Sequence, residues 1–280
     1  MFKRLLLAAT AAALVSSAAL AADLPSRRAP APFVAVPVFT WTGFYVGANA
    51  GYIFGDDNRF TTVGNNGTAA GPGTFFNAAQ NIRVNNVRLN PEGFTGGGQI
   101  GYNYQFGNIV IGLEADAAYT DFRQTGTFFG GTPAAAGFAA STFTTDLAYL
   151  GTVRGRVGYA FDRLMIFGTG GLAYGDVQNT ALFYAPGTGT NVLQFSGGRS
   201  NMEIGYAVGG GVEYALASSF SLFGSSAVTV KAEALYYDLG RQSFQVNGVI
   251  PATVNTSYTS RADTNGVIAR AGINFKFGTF

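Results

Sequence analysis

The feature that most constrains the fold is a period-two alternation of hydrophobic residues that recurs eight times along the chain. Each repeat places apolar side chains on one face of a strand and glycine or polar residues on the other. Each is long enough to cross a bilayer as a tilted strand, which takes about 9–11 residues. After Thr40, no apolar run approaches the roughly 20 residues that a membrane helix needs. The alternation therefore predicts eight transmembrane β-strands, at 42–54, 94–106, 109–120, 147–161, 164–174, 201–216, 228–239 and 267–277.

The connections between these segments alternate in length. Two are tight turns, at Gly107-Asn108 and Asp162-Arg163. The long ones are rich in Gly, Asn and Thr and span 55–93, 121–146, 175–200 and 240–266. The 217–227 connection is longer than a tight turn, and a ten-strand alternative that uses residues 217–230 stays open.

Hydrocarbon offers no hydrogen-bond partner to an open sheet edge, so membrane-spanning strands must close into a barrel. Bacterial barrels have an even number of strands, short periplasmic turns and longer outer loops. The sequence therefore predicts an all-β fold, an eight-stranded antiparallel transmembrane β-barrel with long outer loops, short periplasmic turns and both termini in the periplasm.

Tyrosine and phenylalanine are frequent near the ends of the predicted strands. Aromatic side chains form girdles at the two membrane–water interfaces of such barrels. We therefore predict interfacial positions for ten aromatic residues: Tyr52, Phe54, Tyr102, Tyr104, Phe106, Tyr119, Tyr159, Phe161, Tyr174 and Tyr214.

Charged residues make up only 11% of the chain, and those within the strands fall on the face opposite the apolar one. Five are acidic and five are basic: Glu114, Asp116, Glu203, Glu213 and Glu233, and Arg154, Arg156, Lys231, Arg270 and Lys276. The interior of an eight-stranded barrel is just wide enough for side chains, and an unpaired charge there is costly. We predict a neutral salt-bridge network that plugs the lumen.

Glu114 and Asp116 also permit an interpretation as a catalytic carboxylate pair. Two positions apart on one strand, they lie about 6.5–7 Å apart, a separation that some glycosidases use. Arg154 and Arg156 on the next strand favour ion pairing instead. The chain has no His and no Cys, which excludes a His general base, a thiol nucleophile, a thiolate zinc site and disulfides. We expect no enzymatic activity and no catalytic, cofactor or metal site.

Residues 96–101 match the dinucleotide-binding pattern G-x-G-x-x-G, but they lie within a predicted strand and open no helix. Their glycines are better interpreted as positions that let side chains of neighbouring strands pack closely. A net charge of +2 argues against binding to nucleic acid.

Two basic residues, an apolar Ala/Leu-rich run and an A-x-A site ending at Ala21 predict a cleaved secretory signal peptide at 1–21. Its removal would leave 15 basic and 15 acidic residues, so the mature chain is formally neutral. The proline-rich segment 22–40 is predicted to be an extended periplasmic linker, because proline at that density prevents a helix or central strand. The barrel then occupies 41–280.

Several stretches spread over the mature chain match one known family: 22–25 (ADLP), 41–47 (WTGFYVG), 170–175 (GGLAYG), 231–233 (KAE), 236–240 (YYDLG) and 270–277 (RAGINFKF). With them the sequence resembles the outer-membrane immunogenic proteins of alpha-proteobacteria, a branch of the small OmpA-like β-barrels. The resemblance implies an abundant, surface-exposed barrel of the cell outer membrane that helps maintain the envelope without enzymatic activity. Some relatives are called porins or heme binders. The longer 217–227 connection and Phe280, three residues beyond Phe277, depart from the family pattern.

The leading hypothesis is a non-enzymatic barrel that contributes to envelope integrity and presents surface loops. Its expected partners are outer-membrane lipid and lipopolysaccharide, the outer-membrane barrel assembly machinery and, through the loops, a host surface. A small-solute porin stays open as an alternative and needs a continuous water path past the interior charges. Heme or host-surface binding by the outer loops is a second alternative, for which the aromatic residues are Phe75, Phe76, Phe128, Phe129, Tyr184 and Tyr258.

Overall fold

The computed structural model describes residues 39–56, 58–67, 73–79, 81–131, 139–188, 190–216, 225 and 227–278. The predicted signal peptide, residues 22–38 of the predicted linker and Phe280 lie outside this part of the chain, as do residues 217–224 and the side chains of Phe75 and Phe76. No helix within the described ranges is long and apolar enough to cross a membrane.

The described residues form ten strands and one short helix. The strands are β1 Gly43–Gly55, β2 Asn58–Gly64, β3 Asn86–Leu89, β4 Glu92–Phe106, β5 Ile109–Gly130, β6 Ala139–Phe161, β7 Leu164–Tyr184, β8 Leu193–Ala215, β9 Ala227–Gly248 and β10 Ser257–Phe277. Helix α1 spans Thr74–Ala79. Eight strands follow one another in the order β1-β4-β5-β6-β7-β8-β9-β10, and β10 pairs with β1, which closes an antiparallel barrel. The predicted all-β barrel fold is confirmed.

The two strands beyond the predicted eight come from the 55–93 connection. Strand β2 pairs with residues 258–262 of β10, and β3 pairs with β2, so a short hairpin lies beside the outer half of β10. The extra strands therefore differ from the ten-strand alternative, which placed them at 217–230. At seven and four residues, β2 and β3 are too short to show a clear alternation in sequence.

The eight barrel strands reach further outward than the sequence predicts. At the end with the short turns, their bounds match the prediction within one or two residues, but β5 continues to Gly130 and β10 begins at Ser257. Outside the membrane the exposed face turns polar, as in the cross-strand pair Thr125–Thr144, whose hydroxyls lie 2.9 Å apart. Beyond the membrane the alternation of apolar and polar residues therefore ends, although the strands continue to pair with one another.

Two β-bulges also interrupt the alternation. On β6, the register shifts between Leu147 and Leu150, and along the chain the inward positions change from odd-numbered to even-numbered residues. On β9, the shift lies at Gly240, whose φ of 78° is in the left-handed region that glycine tolerates. A bulge of this kind reverses the inward and outward faces of the strand, so a fixed period-two pattern stops at it.

The outer face of the barrel is apolar. Nine of the ten predicted interfacial aromatics are at least 39% exposed there, whereas Tyr174 is half-buried. On β7, whose alternation is ambiguous in sequence, Ile166 faces outward and Met165 and Phe167 face the lumen. Phe44 and Phe54 of β1 lie ten residues apart, about 34 Å along a strand. A tilt of about 40° reduces this to a height of about 25 Å, the height of the apolar band in such barrels.

Three hydrophobic clusters fill the inside of the barrel at different heights. The lower cluster comprises Trp41, Val110, Ala160, Met165, Phe167 and Ala215, with Phe39 packed against it. The middle cluster comprises Ile53, Phe122, Leu147, Leu150, Ala173, Val177, Ala207, Leu235, Tyr237, Leu239 and Ile268. The upper cluster comprises Phe60, Ala78, Val84, Val87, Leu89, Phe143, Ala181, Phe183, Phe195, Phe244, Val246, Tyr258 and Ala262, with Phe128 packed against it. Strand β6 passes all three in order, and its Arg154 and Arg156 lie between the lower and the middle cluster.

Candidate functional site

The buried charges form one connected network between the lower and the middle cluster. We call it the interior charge network, and its members are Glu114, Asp116, Arg154, Arg156, Glu213, Lys231, Glu233 and Arg270. Period-two geometry points these side chains inward from β5, β6, β8, β9 and β10. All eight are buried, and the four carboxylates balance the four cations.

Arg154 lies at the centre of the network. Its Nη2 is 2.7 Å from Glu114 Oε1 and 2.9 Å from Asp116 Oδ2, and its Nη1 is 3.2 Å from Glu233 Oε2. Glu114 is its direct cross-strand neighbour in the β5–β6 register, whereas Glu233 reaches it from β9 across the lumen. Three carboxylates therefore share one guanidinium.

Arg270 makes the second set of contacts across the lumen. Its Nη1 and Nη2 donate to the two carboxylate oxygens of Asp116, each at 3.0 Å, and its Nε donates to Glu233 at 2.6 Å. The bidentate geometry fixes both side chains. Because β10 and β5 lie on different sides of the barrel, this pair ties its walls together.

The lower part of the network contains Arg156 and Glu213, 2.7 Å apart. Arg156 also lies 4.1 Å from the ring centroid of Phe167, which belongs to the lower cluster. Tyr45 connects this lower part with the part around Arg154, because its hydroxyl donates to Glu114 at 2.7 Å and accepts from Arg156 at 3.1 Å. The charges are thus embedded in hydrogen bonds, the condition under which buried charges are tolerated.

Two of the ten predicted interior charges lie outside the ion pairs described so far: Glu203 at the outer end and Lys276, which is buried at the periplasmic end. Glu203 is ten residues from Glu213 along β8, about one membrane height away, so it lies at the outer opening. There its partly exposed side chain accepts a hydrogen bond from Gln242 at 3.0 Å and lies 3.9 Å from Arg199. Lys276 lies at the periplasmic end of β10, where its Nζ donates to the carbonyl of Thr40 at 2.7 Å. The ion pairs named above therefore join four charges of each sign, and the inclusion of Glu203 and Lys276 stays a prediction.

Neutral residues complete the network, and the sequence reasoning did not single them out. Tyr45 is the clearest case, although it shares the inward face of β1 with Gly47 and Asn49, so the alternation could have identified it. Gly101 of β4 makes room for it, because a Cβ atom there would clash with the Tyr45 ring. Gly101 thus fits the interpretation of a close-packing glycine, whereas a Cβ atom at Gly98 would meet only the carbonyl oxygen of Gly47, at 3.7 Å.

The outer end of the barrel contains the aromatic residues considered for heme binding. Tyr258 is fully buried in the upper cluster, with ring centroids 5.2 Å from Phe183 and 4.9 Å from Phe195. Phe128 is partly buried against the same cluster, whereas Phe129 is 59% exposed. A buried Tyr258 has no open face for axial ligation of heme.

Comparison with known proteins gives relatives over nearly the whole chain, although no protein-family model matches. The chain is 33% identical over 273 residues to the 31 kDa outer-membrane immunogenic protein of Brucella melitensis, covering 96% of this chain and 98% of that protein. It is 27% identical over 245 residues to the 22 kDa outer membrane protein of Rhizobium leguminosarum bv. viciae, covering 86% and 80%. Among solved structures, the outer membrane protein OprG from Pseudomonas aeruginosa aligns with a TM-score of 0.43 and 13% identity, over 85% of this chain and 97% of that one.

The two sequence relatives are both outer-membrane proteins by name. The closed barrel with its apolar outer face and aromatic residues at two heights is the architecture that such a location requires. The chain therefore belongs to the family of outer-membrane immunogenic proteins and is a protein of the cell outer membrane.

Proposed function

We propose that this protein is a non-enzymatic barrel that contributes to the integrity of the outer membrane and whose lumen is closed to solutes. The observation that carries the proposal is the stacking of the interior charge network between hydrophobic clusters. A solute would have to break buried ion pairs and pass three apolar layers.

The periplasmic end supports this proposal. Trp41 is fully buried, and its indole Nε1 donates to the carbonyl of Asp162 at 3.0 Å. Its backbone N–H donates to Gln105 at 2.7 Å, and Phe39 packs edge-on against its ring at 5.1 Å. Residues 39–41, which lead into β1, thus fold under the barrel and close its lower cluster at the periplasmic end.

The outer end supports it as well. Phe60 of β2 and Leu89 of β3, both in the connection between β1 and β4, belong to the upper cluster together with Phe143 of β6. The Phe60 and Phe143 ring centroids lie 5.0 Å apart. The 55–93 connection, which the sequence predicts to be a loop, therefore fills the outer opening with apolar side chains. A porin needs a water-filled opening at this end.

The absence of enzymatic activity is part of the proposal. The carboxylates that suggested a glycosidase pair, Glu114 and Asp116, are buried to 3% and 5% exposure and held by Arg154. Such carboxylates have neither substrate access nor the freedom to transfer a proton, so the geometry favours a structural role.

Contact with lipopolysaccharide fits the exposed arginines just beyond the outer aromatic residues. The side chains of Arg123, Arg199 and Arg241 are 66%, 43% and 63% exposed. Guanidinium groups bind phosphate oxygens in bidentate fashion, so these positions suit the phosphates of the outer leaflet. The barrel assembly machinery and a host surface are further proposed partners.

A deletion strain tests the envelope role. We expect loss of the gene to raise sensitivity to sodium dodecyl sulfate and to bulky antibiotics that an intact outer membrane excludes. A plasmid copy should restore resistance, and uptake of small hydrophilic solutes should stay unchanged. Unchanged sensitivity would contradict the envelope role, and a drop in small-solute uptake would favour the porin alternative.

A further inference from the structure

Arg83 is a buried cation at the outer end of the barrel, far from the interior charge network. It lies between α1 and β3 and is 2% exposed. Its Nη1 donates to the backbone carbonyls of Ala140 at 2.9 Å and Tyr184 at 2.8 Å. Among the residues that the structure describes, no carboxylate forms an ion pair with Arg83, and its Nε is buried without a hydrogen-bond partner.

The surroundings of Arg83 are aromatic. Its guanidinium carbon lies 5.2 Å from the ring centroid of Phe183 and 6.0 Å from those of Phe195 and Tyr258. Cation–π contacts stabilise the charge in part but do not neutralise it. Burial lowers the pKa of Arg83 from its ordinary value, because removing the cation from water disfavours the charged form. The cation is therefore only partly compensated.

A cavity of about 300 Å³ lies against this side chain. Three connections at the outer end supply its walls, which are both polar and apolar. Arg83 and Gln194 are polar lining residues, with Gln194 Oε1 3.5 Å from Arg83 Nη2, and Ile82 and Phe195 are apolar lining residues. Thr74, Asn77 and Thr253 add further hydrogen-bonding groups.

We propose that this cavity binds a small organic acid, with the carboxylate on Arg83 and a short apolar body against Ile82 and Phe195. The guanidinium fork matches a carboxylate, and an anion would supply the charge that the described residues do not. A volume of this size is at the small end of the range for small-molecule sites, about 300–1,000 Å³. Because the upper cluster closes the lumen, the ligand would be held at the surface rather than passed through.

The rival explanation is that Arg83 only ties the inserted connection to β6 and β7 through its two carbonyl contacts. The two explanations differ in what the folded protein binds. A structural tie requires no ligand, whereas a binding site predicts saturable binding of a carboxylate that a neutral molecule of the same shape does not reproduce.

Titration of benzoate into the refolded protein in an uncharged detergent tests the proposal, with benzyl alcohol as the neutral probe. We expect one-to-one benzoate binding by calorimetry and a chemical-shift change of an arginine Nε–H resonance. In Arg83→Met the affinity should fall about 10- to 100-fold, as expected for loss of a hydrogen bond to a charged group. Arg88→Met is the matched control, because Arg88 is exposed on the nearby β3, and its affinity should not change.

Three results would overturn the proposal. These are no saturable binding of benzoate to the wild-type protein, equal binding of benzyl alcohol or inorganic phosphate, and unchanged affinity in Arg83→Met. Should Arg83→Met fail to fold, the wild-type comparison of benzoate with benzyl alcohol still decides. Arg83→Lys, which keeps the charge but loses the planar fork, should then bind benzoate more weakly than the wild type.

Discussion

Arg154→Glu is expected to prevent the barrel from reaching its native fold or to destabilise it severely. The new carboxylate would face Glu114, Asp116 and Glu233, whose oxygens now lie 2.7–3.2 Å from the guanidinium. Removing one partner of a buried pair costs about 3–5 kcal/mol, and reversing its sign adds repulsion among four carboxylates. Loss of the heat-modifiable band on gels and a lower urea midpoint in detergent would show the effect.

Arg123→Glu is the matched control for this reversal. Arg123 lies on β5 with its side chain 66% exposed, 3.5 Å from Asp146. Exposed pairs contribute about 0–1 kcal/mol, so this variant should fold and unfold nearly as the wild type does. If Arg154→Glu also unfolds at the wild-type midpoint, the interior charge network cannot be what holds the walls of the barrel together.

Phe143→Ala is expected to produce the second-largest effect, at the other end of the barrel. Phe143 is 1% exposed, and its ring centroid lies 5.0 Å from that of Phe60 and 5.7 Å from that of Phe183. Truncation of a buried phenylalanine costs about 3–5 kcal/mol through lost contacts and the cavity left behind. We expect the inserted connection between β1 and β4 to loosen and become sensitive to trypsin, which cleaves at arginine and so reports on Arg59 and Arg88.

Phe129→Ala supplies the comparison. Phe129 lies on β5 in the same outer region but is 59% exposed, so its loss should change stability by no more than about 0.5 kcal/mol. Equal trypsin sensitivity in the Phe143 and Phe129 variants would show that the upper cluster does not anchor the connection. A lower urea midpoint in Phe143→Ala without new trypsin cleavage would show that the substitution destabilises the barrel strands and not the inserted connection.

The membrane-spanning half of the fold was predictable because lipid imposes a strict pattern. Every outward residue must be apolar, so the alternation marks each strand, and short turns such as Gly107-Asn108 mark the periplasmic end. The same alternation assigned Glu114 and Arg154 to the inside, and their place on consecutive strands predicted that they would meet. The spacing of residues along the sequence is therefore sufficient to predict contacts between side chains on consecutive strands.

The outer half was not predictable by the same reasoning. Beyond the membrane, both faces of the strands can be polar, and the bulge at Gly240 reverses the inward face of β9. The contact of Arg270 with Asp116 depends on closure and on the stagger of the strands around the barrel, which no single segment contains. Arg83 lies in an irregular connection, where no periodic pattern marks a residue as buried.

Planar-bilayer recording on the purified, refolded protein tests the central claim most directly. Correct folding is first verified by heat-modifiable gel mobility, and insertion by protease protection of the protein in lipid vesicles. A boiled sample serves as the control. With the interior charge network and three hydrophobic clusters in place, we expect inserted protein to give no reproducible conductance steps above the boiled control. Well-defined, reproducible steps from the wild-type protein would contradict a closed lumen and establish a continuous water path through the barrel.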